Sequence, residues 1–319
     1  IAGTSMESVR PGVDVEITRE PVGVVGIITP WNFPIAIPAW KIAPALAFGN
    51  TVVFKPATLV PATAHALARI ISDSGLPSGV FNLVMGSGDQ VGASIVESPL
   101  VDAVTFTGSV ETGRNVLVKT AERQARVQLE MGGKNPLVVL DDAELETAVE
   151  CAINGAFYST GQRCTASSRL IVTEGIHDRF VARLVERMEG LVVDNALKPG
   201  TQMGPVVDDS QLEQDLMYID VGCSEGAEMV TGGSRLERDT EGYFLAPTLF
   251  TETNNAMRIN REEMFGPIAT VLRVRDYEEA LGVANDTDFG LSAGICTASL
   301  THSSHFKRNS EAGMVMVNL

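Results

Sequence analysis

From residue 22 to 122, short apolar runs alternate with stripes of helical period. Positions 22–28 form an unbroken apolar run that predicts a buried strand. Pro30 and Pro34 interrupt it, and a helix is predicted over about 38–48. A strand at 51–55 follows, then a helix from Pro61 to 72, with proline in its first turn and Gly75 beyond its end. The pattern repeats as strand 80–84, helix 89–97, strand 103–107 and helix 109–122. Four strands alternating with helices at this spacing predict a parallel, doubly wound α/β sheet. Residues 1–20 are polar, with β-formers alternating near Val13 and Val15, and read as an exposed ribbon or arm.

A short connecting strand is predicted at 128–130, and a second alternation begins with strand 136–140. Asp141 or Asp142 is placed to cap a helix over about 143–159, followed by strand 168–173 and helix 177–190. Residues 194–245 are rich in Gly and Asp and weakly periodic. Strand 268–274, helix 276–285, helix 301–309 and strand 313–318 complete the reading. The double glycine Gly132-Gly133 is a plausible hinge and puts a domain change near 129–133.

Composition narrows the classes. The 319 residues carry a net charge of −16, which argues against a nucleic-acid partner or an anionic membrane surface. It does not exclude an anionic small ligand, because backbone N–H groups bind phosphate on acidic proteins too. The apolar runs are all broken well short of a membrane span. Four cysteines without paired spacing and four histidines without ligand spacing predict a reduced, metal-free cytoplasmic protein. No signal peptide is expected; the chain opens at Ile1 and stops inside a strand pattern, so both ends read as cut.

The chemistry centres on Cys164, in Gly161-Gln162-Arg163-Cys164. Upstream lies Leu129-Glu130-Met131-Gly132-Gly133, and downstream Glu262-Glu263-Met264-Phe265-Gly266-Pro267. A thiol with a carboxylate base is what covalent aldehyde oxidation needs: thiolate attack, hydride loss, then release of the acyl group by activated water. Each residue also has a plainer reading. Cys164 can be a small buried hydrophobe, and Glu130 a solvated strand-end acid. Gly108 and Ser109, after the 103–107 strand, either hold a pyrophosphate at a helix start or simply cap the helix. Lys55 either reaches a ribose or phosphate or is a solvated lysine. Asn32, in Pro30-Trp31-Asn32-Phe33-Pro34, either donates to an oxyanion or satisfies its own loop. Glu263 either bonds a ribose or caps a helix.

Taken together, these stretches, with Lys55-Pro56-Ala57 and Phe106-Thr107-Gly108-Ser109, resemble the aldehyde dehydrogenase superfamily over essentially the whole chain. The resemblance implies an oligomerisation arm (1–20), a partial Rossmann-like NAD(P)-binding domain (21–130) and a partial α/β catalytic domain (131–319). It implies Cys164 as nucleophile, Glu130 as base, and Asn32 with the Cys164 N–H as oxyanion hole. Lys55 and Glu263 would hold riboses, Ser109 and Gly108 the pyrophosphate, and Phe265 the nicotinamide ribose. Thr29, Pro30 and Trp31 would line the cofactor. Thr58 stands where strict NAD users often carry Glu, so NADP as well as NAD is expected. Trp40, Phe33 and Arg163 would contact substrate, Arg163 through a carboxylate. The stretches 161–169 and 258–263 resemble α-ketoglutarate semialdehyde (2,5-dioxovalerate) dehydrogenases, implying a small aldehyde acid as substrate. A homodimer or homotetramer is the implied assembly.

Three other readings remain. Succinate semialdehyde or a broad range of aldehydes can be the substrate. A non-catalytic structural paralogue has no use for Cys164, Glu130 and Asn32 together. In a relative that forms acyl-CoA or acyl phosphate, Glu130 would not be needed for water.

Overall fold

A computed structural model describes residues 3–319. The chain divides into two compact units, Ile1–Met131 and Gly132–Leu319.

In the first unit, strands β1 (Thr4–Glu7) and β2 (Asp14–Ile17) pair as an antiparallel ribbon with every strand residue exposed. The remainder is a five-stranded, all-parallel sheet of β3 (Val24–Ile28), β4 (Thr51–Lys55), β5 (Phe81–Leu83), β6 (Ala103–Thr107) and β7 (Arg126–Glu130), in the order β5-β4-β3-β6-β7. Helices α1 (Ala36–Ala47) and α2 (Pro61–Asp73) lie on one face. There Ile42 and Ala64 meet Val25, Ile27, Val52 and Phe54. Helices α3 (Ala93–Glu97) and α4 (Val110–Glu122) cover the other, where Ile95, Val96 and Val116 meet Val104 and Phe106. The α3 face approaches β3 closely at Gly26, where a Cβ would lie 2.4 Å from the Ile95 side chain.

The second unit holds a seven-stranded sheet. Its strands are β8 (Pro136–Val139), β9 (Arg169–Thr173), β10 (Glu228–Thr231), β11 (Thr248–Thr251), β12 (Ile268–Val274), β13 (Ser292–Cys296) and β14 (Met314–Val317). The order is β10-β11-β12-β9-β8-β13-β14, with only β10 antiparallel to its neighbour. Strand alternation sorts side chains between two cores: Leu137, Val139, Leu170 and Val172 on one face, Val138, Leu140 and Ile171 on the other. Helices α5 (Leu145–Ala156) and α6 (Glu174–Glu189) pack on the first face. Helices α9 (Tyr277–Asn285) and α10 (Leu300–Asn309) pack on the second. Helices α7 (Asp209–Ser224) and α8 (Arg258–Arg261) share a third cluster with Phe250 and Ile268.

Six elements depart from the expected pattern. The supposed connector at 128–130 is the end of β7, a full fifth strand; as an edge strand it alternates exposed and half-buried residues, so it lacks the continuous apolar run of its neighbours. Residues 194–245 contain α7, whose inward face carries glutamine, aspartate and glycine as well as apolar residues, which hides its period. They also contain strand β10. Strands β11 and β13 are wholly buried but small or threonine-rich. Helix α5 ends at Ala156 rather than 159, and a tight turn, Tyr158–Gly161, takes over.

No helix among the described residues is long and apolar enough to cross a membrane.

Candidate active site

In the first unit, the candidate residues gather at the carboxyl edge of the parallel sheet, where ligands bind in open α/β folds. Lys55 ends β4 and accepts a backbone bond from Thr29 N, just past β3 (3.2 Å). Gly108, just past β6, donates its N–H to the carbonyl of Glu130, the last residue of β7 (3.1 Å). Parallel register therefore brings Thr29, Lys55, Gly108 and Glu130 to one line. Ser109 caps α4, its Oγ accepting from Thr112 N at 3.3 Å, so it has a helix-cap role whatever it binds. Lys55 is buried, its Nζ donating to the Pro56 carbonyl at 3.0 Å, and burial lowers its pKa. Pro30, Trp31, Asn32 and Phe33 form the half-buried loop between β3 and α1; Trp40 is 72% exposed on α1, and Thr58 is exposed in the turn after β4.

Lys41 completes this edge and was not anticipated. Its ammonium donates to Thr105 Oγ1 (2.7 Å) and Gln128 Oε1 (3.0 Å), and Gln128 Nε2 donates to Glu130 Oε1 (2.6 Å). Burial pushes the Lys41 pKa down to about 8, against the pull of the Glu130 charge. The available signal was a single lysine inside the otherwise apolar α1.

The same edge fits a dinucleotide. Thr29 Oγ1 and Thr107 Oγ1 are buried, at the ends of β3 and β6, without a hydrogen-bond partner among the described residues. Beside them a cavity of about 370 Å³ is lined by Ile28, Gly92, Phe106, Thr112 and Lys119. Free hydroxyl donors, a helix N-terminus and an adjoining hollow suit sugar, phosphate and base respectively.

In the second unit, the backbone between α5 and Cys164 makes a forced turn. Ser159, Thr160 and Gly161 have φ of 56°, 58° and 65°. Two consecutive non-glycine residues in the left-handed region cost about 1 kcal/mol each, so surrounding contacts must hold them. Those contacts are visible. Thr160 Oγ1 donates to the Gly204 carbonyl (3.2 Å), and Gln162 Oε1 accepts from Val207 N (2.9 Å). Gly161 passes so near Gly266 that a Cβ would lie 2.1 Å from its carbonyl oxygen.

Cys164 is a half-buried cysteine on this loop, in no disulfide. Asn135, 2% exposed, fixes it: Nδ2 donates to the carbonyls of Cys164 (2.8 Å) and Ala166 (3.0 Å), while Oδ1 accepts from Ser292 N (3.0 Å). A lone asparagine before an apolar strand gave no sequence signal of this. The double glycine, at the boundary between the two units, serves the same packing. A Cβ on Gly133 would lie 2.6 Å from the Cys164 carbonyl oxygen, and one on Gly132 would lie 1.9 Å from Glu263 Oε2.

Arg163 is held by the scaffold. Its Nη2 donates to the carbonyls of Gly155 (2.8 Å) and Asn154, at the end of α5. The guanidinium thus clasps the helix end to the nucleophile loop, and a substrate carboxylate would have to compete with those carbonyls. Burial lowers its pKa, while the neighbouring Cys164 raises it, so a Cys164 thiolate and this cation favour one another.

Glu263 accepts from Gly133 N (3.1 Å), and burial raises its pKa. Phe265 follows with φ of 62°, another left-handed residue. Lys134 lies fully buried with no hydrogen bond to Nζ among the described residues. Burial first, then the Arg169 charge, pushes its pKa down to about 7, opposed by Glu263 and Glu262. It too was unforeseen.

Comparison with known proteins agrees with this arrangement. The α-ketoglutaric semialdehyde dehydrogenase of Bacillus subtilis is 47% identical over 303 residues, 94% of this chain and 62% of that protein. The α-ketoglutarate semialdehyde dehydrogenase of Haloferax volcanii is 47% identical over 322 residues, all of this chain and 66% of that protein. The chain thus spans somewhat under two thirds of the length of these relatives. A crystal structure of betaine aldehyde dehydrogenase from Staphylococcus aureus, in complex with NAD+, superposes with a TM-score of 0.95 at 37% identity, covering 99% of this chain and 63% of that one. The pattern of the aldehyde dehydrogenase family matches residues 1–319, and the chain belongs to that family.

Proposed function

We propose that the full-length protein oxidises a short aldehyde acid to a carboxylate with NAD or NADP, and that the substrate is α-ketoglutarate semialdehyde, giving 2-oxoglutarate. The observation that carries the reaction type is the Cys164 loop: a half-buried cysteine just after a turn of three left-handed residues, tied down by Asn135 and Gln162 and set beside a guanidinium. A merely structural cysteine needs none of this. The substrate rests on the two semialdehyde dehydrogenases 47% identical to this chain.

In this reading the Cys164 thiolate adds to the aldehyde carbon, and Asn32 with the Cys164 N–H stabilises the oxyanion. A bound dinucleotide supplies the acceptor for the hydrogen that this carbon gives up. Glu130 then takes a proton from the water that cleaves the Cys164 thioester. Lys41, through Gln128, orients the Glu130 carboxylate and balances its charge. Lys55 and Glu263 would hold ribose hydroxyls. The Ser109 end of α4, with Gly108 leaving room beside it, would hold the pyrophosphate, with Thr29, Pro30 and Trp31 alongside and Phe265 at the nicotinamide ribose. Phe33 and Trp40 would face the substrate. We assign Arg163 to holding the Cys164 loop. Cytoplasmic location and a homo-oligomeric assembly remain part of the same proposal.

The test is reduced-cofactor formation by the full-length protein with α-ketoglutarate semialdehyde, succinate semialdehyde, betaine aldehyde and butanal, each with NAD and NADP, with and without coenzyme A. The proposal expects the highest kcat/KM on α-ketoglutarate semialdehyde and no acceleration by coenzyme A. Preference for the cationic betaine aldehyde would reject the substrate.

A further inference from the structure

Helix α7 carries a polar stripe where a core-facing stripe is normally apolar. Gln211, Gln214, Asp215 and Tyr218 stand at helical spacing i, i+3, i+4 and i+7, on one face. All four meet the same short segment, residues 262–266. Gln211 Nε2 donates to the Met264 carbonyl (3.2 Å) and to Asp215 Oδ1 (2.9 Å). Gln214 Nε2 donates to the Met264 carbonyl as well (2.9 Å). Tyr218 Oη donates to Glu262 Oε2 (3.0 Å). Asp215, completely buried, lies against Gly266, where a Cβ would sit 2.2 Å from Oδ1. Gly266 has no positive φ, so glycine stands there for room and not for backbone freedom.

The held segment matters because of what it carries. Glu263 and the left-handed Phe265 lie within it, and a left-handed phenylalanine does not hold its own conformation. The segment also abuts the nucleophile turn, through Gly266 and Gly161. The strand of chain leading into α7 grips that turn from its other side, through Gly204 and Val207.

We infer that the α7 stripe is a positioning platform: Gln211, Gln214 and Asp215 fix residues 262–266 so that Glu263 and Phe265 are presented to the cofactor in one geometry. The inference rests on the dehydrogenase reading for what Glu263 and Phe265 bind, and on the contacts above for the platform itself. Below about pH 7 Asp215 acts here as a compact hydrogen-bonding block and not as a charge, because burial pushes its pKa up to about 7. Its Oδ2 has no hydrogen-bond partner among the described residues. Its amide isostere should therefore replace it.

Two readouts on the full-length protein separate the platform from the function. The first is amide hydrogen exchange in the peptide spanning 262–266. The second is the dissociation constant for NAD and NADP, with kcat at saturating cofactor. Gln211→Met keeps the helix and the shape. It is expected to speed exchange in that peptide and to raise the cofactor Kd, each by about tenfold, with kcat at saturation changed less than about threefold. Asp215→Asn should match the native protein in both. Gly266→Ala should loosen the segment like Gln211→Met, and adding Asp215→Ala should recover part of the loss, because the atoms nearest the new methyl are those of the Asp215 carboxyl. Native exchange in both Gln211→Met and Gly266→Ala would overturn the platform, as would a double variant no better than Gly266→Ala. A native protein that binds neither cofactor would instead reject the dehydrogenase reading, and the exchange measurements would still decide the platform.

Discussion

Asn135→Ala is the sharpest structural perturbation available near the nucleophile. The side chain makes three hydrogen bonds, to the carbonyls of Cys164 and Ala166 and from Ser292 N, in a site 2% exposed. Truncation leaves two acceptors and one donor without that partner. The Ala166 carbonyl keeps its bond from Ser168 N, so two buried groups lose their partner; at about 1–3 kcal/mol each, with partial relaxation of the loop, the loss is about 2–4 kcal/mol. Water cannot readily repair it, because Gly133 and Cys164 close over the amide. Urea denaturation of the second unit should show that loss. The same change frees the Cys164 carbonyl, so kcat should fall by roughly two orders of magnitude while cofactor Kd stays near native. A stability loss below about 1 kcal/mol with native kcat would refute the idea that this amide holds the loop.

Three further outcomes follow from the geometry. Arg163→Ala should lower kcat/KM equally for α-ketoglutarate semialdehyde and for butanal, because its guanidinium holds backbone carbonyls; a loss confined to the charged aldehyde would restore a carboxylate-binding role. Thr58→Glu, in the exposed turn after β4, should lower the NADP-to-NAD ratio of kcat/KM by about two orders of magnitude through repulsion of the 2′-phosphate, and an unchanged ratio would place residue 58 away from the ribose. Asp215, raised from 3.8 to about 7, binds its proton more tightly folded than unfolded. Its contribution is therefore fully present below pH 3.8 and is lost as pH rises through about 7, up to about 4 kcal/mol in all. Asp215→Asn should remove that slope and be the more stable protein at pH 8; parallel stability–pH curves for the two proteins would contradict it.

The sequence made the first unit readable wherever strands are buried on both faces. β3, β4 and β6 are continuous apolar runs bounded by Pro, Gly or polar residues, and their carboxyl ends foretold where Lys55, Gly108 and Ser109 would stand. Edge strand β7 half-hides its pattern, so only its last residues were seen. In the second unit, β13 is as buried as any strand, but Ser-Ala-Gly-Ile-Cys carries little apolar signal. Helix α7 was obscured by its polar stripe, which meets backbone and carboxyl groups instead of a core. The site shows the same division. Motif residues near Cys164 could be named from the family resemblance. Partners far apart in sequence could not: Lys41 with Gln128, Asn135 with Cys164, and Arg163 with the end of α5 are fixed by packing. The double glycine marked the boundary between the two units, but its close packing on Cys164 and Glu263 could not be seen from one sequence.

The central claim is that Cys164 forms the acyl-enzyme. Full-length Glu130→Gln, mixed with α-ketoglutarate semialdehyde and NAD or NADP, should accumulate a covalent adduct seen by intact mass, because the water-activating carboxylate is gone. Peptide mapping should place the adduct on Cys164, and Cys164→Ser should abolish it while leaving cofactor binding unchanged. An adduct on Cys151, Cys223 or Cys296, or undiminished turnover in Cys164→Ser, would contradict the account.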